Sequence, residues 1–366
     1  MLKNDAYYMQ LALDLASSAR GNTNPNPMVG AVIVNNGVIV GTGLHRKAGE
    51  PHAEVHAFRM AGEHAKGATL YVTLEPCSHY GKTPPCANLV KESGVKRVVV
   101  AMKDPNPSVA GRGIQLLRDA GIEVEVGVLE AEAYTLNERF IHNMLTERPF
   151  VVAKYAMTAD GKIATSTGDS RWITADDARE DVHLYRHEMD GILVGIGTVL
   201  ADNPSLTTRL LTKEGKNPVR IVLDSNLQTP LSANVAQTTE ARTMIITAKD
   251  AEESREQALV AQGVEVIRVA RQADGLDLDA ALQALYQAGV TDILVEGGAG
   301  VHASFFRQQL VQKAIIYMAP KILGGAHSIT PVAGPDVTWM RDAIDMEFRT
   351  VDFVGNDLRI IAYPKK

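Results

Sequence analysis

Apolar positions recur along this chain in two rhythms, and the switches between them delimit its elements. Tyr8, Leu11, Ala12 and Leu15 fall at helical spacing, which predicts an N-terminal helix with Asp5 as its cap and Gly21 as its stop. Two runs rich in β-branched residues follow, Val29 to Val34 and Val38 to Val40. They flank Asn35-Asn36-Gly37, residues that tolerate positive φ, so a hairpin is expected. His52 should open the next helix. Beyond it the pattern alternates: a strand near Leu70-Tyr71-Val72, a helix after Pro84-Pro85, a strand from Arg97 to Val100, a helix from Gly113, a strand near Ile122 to Val126, and a helix ending near Met144. That order predicts an α/β sheet covered by helices.

Arg148-Pro149 then interrupts, and Phe150 to Ala156 starts a new apolar strand, which places a domain boundary near 147 and divides the chain into 1–147 and 148–366. The second half alternates as well. Strands are expected at 191–195, 219–224, 243–247, 264–269, 292–296 and 313–319, helices at 175–189, 251–262, 277–288 and 299–310, and an antiparallel pair from Phe348–Phe353 and Leu358–Ala362. No internal repeat or low-complexity segment interrupts this order.

Composition narrows the class. The 366 residues suffice for two cores, 45% are hydrophobic and 22% charged. No apolar run approaches the roughly 18 residues of a membrane span. The first residues carry Asp5 and Asp14 and no basic segment before an apolar block, so they read as a helix and not as a signal peptide. Net charge is −6, and residues 1–147 hold 14 basic against 15 acidic side chains, so nothing in the charge balance points to nucleic acid or to a membrane surface. Only two cysteines occur, Cys77 and Cys86, within one motif. Such usage points to a reducing compartment, the cytoplasm, with a single Cys77–Cys86 disulfide as the alternative.

The candidate chemistry of the first half lies in His52-Ala53-Glu54, Pro76-Cys77 and Cys86. One imidazole and two thiolates can hold a tetrahedral zinc whose fourth position stays open for water, and Glu54 can then carry that water's protons. A closed structural site is the competitor, because His56 lies four residues after His52 and could complete a Cys2His2 shell. Such a site gives Glu54 no task, and eight residues between the cysteines is a loose spacing for a zinc finger.

His-Ala-Glu with Pro-Cys resembles the zinc-dependent cytidine deaminase superfamily, most of whose members space their cysteines as Cys-x2-Cys. This chain departs from that spacing. Its longer insert, together with Asn24-Pro25-Asn26-Pro27, Thr73-Leu74-Glu75 and Asp104-Pro105-Asn106-Pro107-Ser108-Val109-Ala110-Gly111-Arg112-Gly113, resembles the bifunctional deaminase/reductases of riboflavin biosynthesis. The resemblance covers essentially the whole chain. It implies a cytidine-deaminase-like α/β/α domain followed by a dihydrofolate-reductase-like α/β domain. The first would deaminate 2,5-diamino-6-(5-phosphoribosylamino)pyrimidin-4-one with zinc hydroxide, and the second would reduce the ribosyl group to ribityl with NADPH. His52, Cys77 and Cys86 would ligate one zinc and Glu54 would shuttle protons. Asn26, His45, His79, Lys82, Asp104 and Asn106 are the implied substrate contacts, although Asn26 also suits a turn between prolines and Lys82 a solvated loop.

In the second half, Glu296-Gly297-Gly298-Ala299-Gly300 follows a predicted strand and precedes a predicted helix, where backbone N–H groups can cradle an anion or serve only tight packing. Thr158-Ala159-Asp160-Gly161-Lys162-Ile163-Ala164 resembles the early segment of dihydrofolate-reductase-like domains, and Gly195-Ile196-Gly197-Thr198 with Asp202-Asn203-Pro204-Ser205-Leu206-Thr207 fits the same reductases. The implied NADPH contacts are Ala156, Trp172, Thr198, Asp202, Ser225, Gly298, Ala299 and Gly300. The implied substrate contacts are Lys154, Ser170, Arg186, Leu206, Arg209 and Glu296, with both arginines suited to clamp phosphate. Trp172 is equally readable as packing. Lys154, inside an apolar strand, needs either a substrate or a buried carboxylate partner.

The partner expected is a small phosphorylated pyrimidine, and a homo-oligomer is expected, with neither nucleic acid nor membrane. Two other readings compete: a deaminase acting on a base in RNA, and a zinc-stabilised nucleotide sensor without catalysis. Ammonia release from the free pyrimidine nucleotide separates the three.

Overall fold

Alternation of β-branched residues builds the first sheet, and the computed structural model of the chain describes it within residues 4–78, 85–107, 110–211, 215–273 and 275–365. In chain order come α1 (Asp5–Ser17), β1 (Gly30–Asn35), β2 (Val38–Leu44), α2 (Ala53–Ala61), β3 (Thr69–Leu74), α3 (Cys86–Glu92), β4 (Arg97–Met102), α4 (Arg112–Asp119), β5 (Glu123–Val126), α5 (Glu130–Leu136) and α6 (Glu138–Thr146). The strands order β2-β1-β3-β4-β5, antiparallel across the first three and parallel from β3 onward. Successive side chains point to opposite faces. Ile33, Leu70, Val72, Val98 and Val100 therefore pack on one side with Ala53, Ala57 and Val90, while Val32, Tyr71, Val99 and Ala101 pack on the other with Met9, Ala12 and Ile141. The β1–β2 turn uses Asn36 at φ 48° and Gly37 at φ 78°, the left-handed conformations a two-residue hairpin turn requires.

Two local expectations need correction. Asn4, not Asp5, caps α1: its Oδ1 accepts the Tyr7 N–H, and the helix stops at Ser17, before Gly21. Asp5 instead accepts from the Tyr71 hydroxyl at 2.7 Å and from Arg97 at 2.8 and 3.0 Å, tying α1 to β3 and β4. The single helix expected to end near Met144 is two, α5 and α6. They are separated by Asn137, whose side-chain amide accepts from Met28 N at 2.8 Å and donates to Met28 O at 2.9 Å.

The second unit comprises β6 (Phe150–Thr158), α7 (Asp176–Glu188), β7 (Gly191–Gly195), α8 (Ile196–Asp202), β8 (Val219–Leu223), β9 (Thr243–Ala248), α9 (Glu253–Val260), β10 (Glu265–Val269), β11 (Arg271–Gln272), β12 (Gly275–Leu276), α10 (Leu278–Gln287), β13 (Asp292–Gly297), α11 (Ala299–Arg307), β14 (Lys313–Ala319), β15 (Met346–Val354) and β16 (Asp357–Pro364). Its main sheet runs β10-β9-β8-β7-β13-β6-β14-β16-β15, parallel up to β14 and antiparallel for the last two strands. The central strands are buried on both faces and read as continuous apolar runs, as a doubly covered parallel sheet demands. Helix α8 is a further departure from expectation. The sequence pattern assigns no element to the residues after Gly195, yet they form a helix, with Val199 packed into the core beside Ile192 and Val194.

Contacts divide the chain into Met1–Glu147 and Arg148–Lys366. Among the described residues no helix is long and apolar enough to cross a membrane.

Candidate active sites

In the first unit, β2 and α2 set the position of the histidine. A Cβ on Gly43 would lie 2.1 Å from Ala53 O and 2.6 Å from Ala57 N, so only glycine lets α2 lie this close on the sheet. His52 occupies the N-cap position of α2, but its ring does not cap the helix. Nδ1 instead faces Cys86 Sγ at 3.2 Å and Cys77 Sγ at 3.7 Å. Cys77 follows β3, and Cys86 opens α3 with its backbone N–H donating to Cys77 Sγ at 3.3 Å. The three ligand atoms lie within 4.8 Å of one another.

These residues fit zinc. With Zn–N near 2.0 and Zn–S near 2.3 Å, the edges of a tetrahedral site are roughly 3.5–3.8 Å, close to the separations of this triad. The Cys77 thiol is drawn down to about 4, first by the Cys86 side chain beside it, with burial opposing, and then by His52. Both cysteines are free of a disulfide. Among the described residues the cluster has three members, and His56 is not one of them; its Nε2 is buried without a partner, and burial pushes its pKa down.

Glu54, 3% exposed on the first turn of α2, borders the triad. Burial pushes its carboxyl up, as does the Cys77 charge, which favours a group that holds a proton beside the thiolates. His45 is buried with its ring edge-to-face against His52, the centroids 5.4 Å apart. Its Nδ1 lies 3.3 Å from Pro51 O and its Nε2 3.0 Å from Asn26 Nδ2. A carbonyl only accepts, so Nδ1 carries the proton and Nε2 accepts from Asn26. This arrangement agrees with burial holding the imidazole below its usual pKa.

Asp104 and Asn106 have a structural occupation. Asn106 N donates to Asp104 Oδ1 at 2.8 Å, an Asx turn, and Asp104 N donates to Glu75 at 3.2 Å. The buried Glu75 also accepts the N–H groups of Gly111, Gly113 and Ile114 at 2.9, 2.8 and 3.2 Å. The motif segments 73–75 and 104–113 thus meet on one carboxylate. His79 and Lys82 lie outside the described residues.

In the second unit a cavity of about 780 Å³ opens where the carboxyl ends of β6, β7, β8 and β13 converge. Lys154, Ala156, Ser170, Trp172, Arg186, Thr198, Asp202, Arg209, Glu296, Gly298 and Gly300 line it, each anticipated from sequence. Trp172 is 61% exposed, so it is a wall of the mouth and not core packing. Arg179 stacks over its ring at 4.4 Å. Ser225, Ala299 and Leu206 do not line the cavity. Leu206 is buried in the core beside Val199 and Leu227, which removes its side chain as a substrate contact.

The polar end of the cavity corrects two roles. Arg186 does not present its fork to a phosphate: Nε and Nη2 donate to the two Glu296 oxygens at 2.7 and 2.8 Å, and Nη1 donates to Thr207 O at 3.0 Å. Glu296 lies inside β13 and accepts this guanidinium, with Lys154 Nζ 3.9 Å away. Burial pushes the Glu296 carboxyl up, but Arg186 and then Lys154 overcome it and hold the group near about 2. Burial lowers the Lys154 ammonium against the pull of Glu296. Among the lining residues that the sequence reading did not single out are Tyr155, Arg179, His183, His302 and Tyr317. His183 had a legible signal, since it stands three residues before Arg186 on one helical face.

The cavity suits a dinucleotide. It reaches the N-terminus of α11 through Gly298 and Gly300, and a Cβ on Gly300 would meet nothing within 4 Å, which leaves backbone N–H groups accessible to an anion. The polar cluster lies at one end, as a second reactant would need.

Comparison with known proteins places both units. Residues 2–102 match the cytidine and deoxycytidylate deaminase zinc-binding region, and residues 149–359 match the RibD C-terminal domain. The riboflavin biosynthesis protein RibD of Bacillus amyloliquefaciens is 47% identical over 361 residues, covering 99% of this chain and 96% of the relative. That of Escherichia coli (strain K12) is 43% identical over 370 residues, covering 97% and 98%. Among solved structures, Acinetobacter baumannii RibD in form 1 superposes with TM-score 0.89 at 39% identity over 100% of both chains. A diaminohydroxyphosphoribosylaminopyrimidine deaminase/5-amino-6-(5-phosphoribosylamino)uracil reductase from Thermotoga maritima superposes with TM-score 0.85 at 38% identity over 99% of both.

Proposed function

From the premise that this chain belongs to the RibD family of riboflavin biosynthesis proteins, we propose how its residues divide two reactions between two units. The enzyme is a bifunctional deaminase/reductase that uses zinc and NADPH. It hydrolyses the ring amine of 2,5-diamino-6-(5-phosphoribosylamino)pyrimidin-4(3H)-one, and it reduces the ribosyl group of the resulting 5-amino-6-(5-phosphoribosylamino)uracil to ribityl.

The observation that carries the assignment of roles is the buried Glu54 beside an open three-ligand triad. His52, Cys77 and Cys86 hold the metal, which when bound acts as a Lewis acid and brings a water to near-neutral pKa. Glu54 would take one proton from the attacking water and pass it to the ring nitrogen, then take the second from the hydroxyl left on the ring carbon and deliver it to the departing amine. His45 holds Asn26 by its amide nitrogen and leaves the Asn26 carbonyl oxygen to orient the substrate. When bound in the second unit, NADPH would supply the hydride. Lys154, steadied by Glu296, donates to the sugar oxygens, and the residues around Trp172, Thr198, Asp202 and Gly298 orient the nicotinamide dinucleotide. The two cysteines, both free, and the phosphorylated small-molecule substrate support a cytoplasmic setting; a homo-oligomer is the expected state.

Glu54→Gln tests the first role. Ammonia release should fall by roughly 10²–10⁴-fold, with zinc content and NADPH oxidation on supplied aminouracil ribotide unchanged. Full deamination by that variant would remove Glu54 from the chemistry.

A further inference from the structure

His183 lies on α7, three residues before Arg186, and lines the polar end of the reductase cavity with Lys154, Arg186 and Arg209. Its Nδ1 accepts the backbone N–H of Arg209 at 3.2 Å. An amide N–H can only donate, so Nδ1 is the unprotonated nitrogen and the proton sits on Nε2. The segment 207–209 has no helix or strand of its own. Three side chains hold it instead: Arg186 donates to Thr207 O at 3.0 Å, Asn217 accepts from Thr208 N at 2.8 Å, and His183 accepts from Arg209 N. Because Arg186 is committed to Glu296 and Thr207, Arg209 is the cavity-lining arginine that pairs with no carboxylate among the described residues.

We infer that His183 is a positioning residue for anion recognition: through Nδ1 it fixes the backbone from which Arg209 reaches the substrate's phosphate. The inference rests on the reductase reading above and adds to it the residue that sets Arg209. Burial, with Arg186 and Arg209 alongside, keeps the imidazole uncharged, its pKa lowered to about 4, so Nδ1 stays available as an acceptor at neutral pH.

The test uses the full-length, zinc-loaded enzyme with NADPH and two substrates, the aminouracil ribotide and its dephosphorylated riboside. In His183→Asn the amide oxygen falls near the place of Nδ1 and can still accept from Arg209 N. In His183→Gln the side chain reaches the place of Nε2 and loses that acceptor. His183→Ala and His183→Gln should raise KM for the ribotide about tenfold, the worth of one hydrogen bond to an ordered segment, with kcat little changed. His183→Asn should recover most of that loss, and none of the three should alter KM for the riboside. Ammonia release and NADPH affinity report that each variant is folded.

An equal rise for ribotide and riboside, or rescue by Gln and not by Asn, would overturn the inference. Arg209→Ala separates the two levels. If it raises the ribotide KM while His183→Ala does not, only the positioning role fails; if Arg209→Ala also leaves KM unchanged, the placement of the phosphate itself is wrong.

Discussion

A lysine inside an apolar strand is costly unless something holds its charge. At Lys154 that something is Glu296, 3.9 Å away, whose own charge is secured by the two-pronged contact with Arg186. The cluster carries two cations and one carboxylate before Arg209 is counted, so it keeps a positive excess for an anionic substrate. Breaking it from different sides should give different phenotypes. Lys154→Ala removes the donor and leaves Arg186–Glu296 intact; reduction should fall by at least about 100-fold while NADPH binds normally, as single-turnover measurement and fluorescence titration would show. Glu296→Gln leaves a buried arginine and a buried lysine without their counter-charge, which costs about 3–5 kcal/mol, and should lower the thermal midpoint of the reductase unit as well as its rate. Normal reduction by Lys154→Ala would return that lysine to a purely structural pair.

At the scale of elements, the first unit shows a loop motif whose structural anchor lies outside the motif. Asp104 and Asn106 stand out through the family resemblance of the segment from Asp104 to Gly113 and not through a pattern of their own. Glu75, which accepts from Asp104 N and from the N–H groups of Gly111, Gly113 and Ile114, was not legible as their anchor, because a carboxylate that collects N–H groups from a distant segment leaves no periodic trace. The same limit explains the reductase errors. Glycine at Gly195 and Gly197 hid α8, whose Val199 packs in the core. Leu206 and Arg186 carried plausible residue types, yet the tertiary fold turned one into the core and the other onto Glu296. Strands and the zinc ligands fared better, since period-two burial and the His, Cys, Cys donor set are properties of short segments. The Glu75 junction makes a sharp prediction. A Cβ at Gly113 would sit 2.1 Å from Pro76 O and 3.2 Å from Glu75 Oε1, so Gly113→Ala must push α4 off the segment that carries Cys77. It should cost about 1–3 kcal/mol of stability and reduce zinc retention, measurable by thermal unfolding and metal analysis. A variant with unchanged zinc content and midpoint would show that the loop adapts freely.

For the whole molecule, the two units each bury histidines in their neutral form, and that shared choice gives the protein a common acid limit. His45 in the first unit is held below the usual imidazole value by burial, His302 in the second likewise, and His183 is lowered to about 4, chiefly by burial and then by Arg186 and Arg209. The sign follows from proton counts. Between the folded and unfolded values, the unfolded chain binds protons that the folded chain does not, so stability falls as pH falls. For His183 the contribution is complete above about 6.5, declines through the interval below, and is gone by about 4. Glu296 has the same sign in a lower window: its stabilisation is present above about 4.5 and fades toward about 2. The thermal midpoint of both units should therefore be level from pH 8 to 7 and drop progressively from 6.5 to 5, before the carboxylates contribute. Within that range the reductase unit should fall further than the same unit carrying His183→Asn, which has no imidazole to protonate. A midpoint that stays flat down to pH 5, or an equal fall in wild type and His183→Asn, would mean that these rings accept protons in the folded protein without cost.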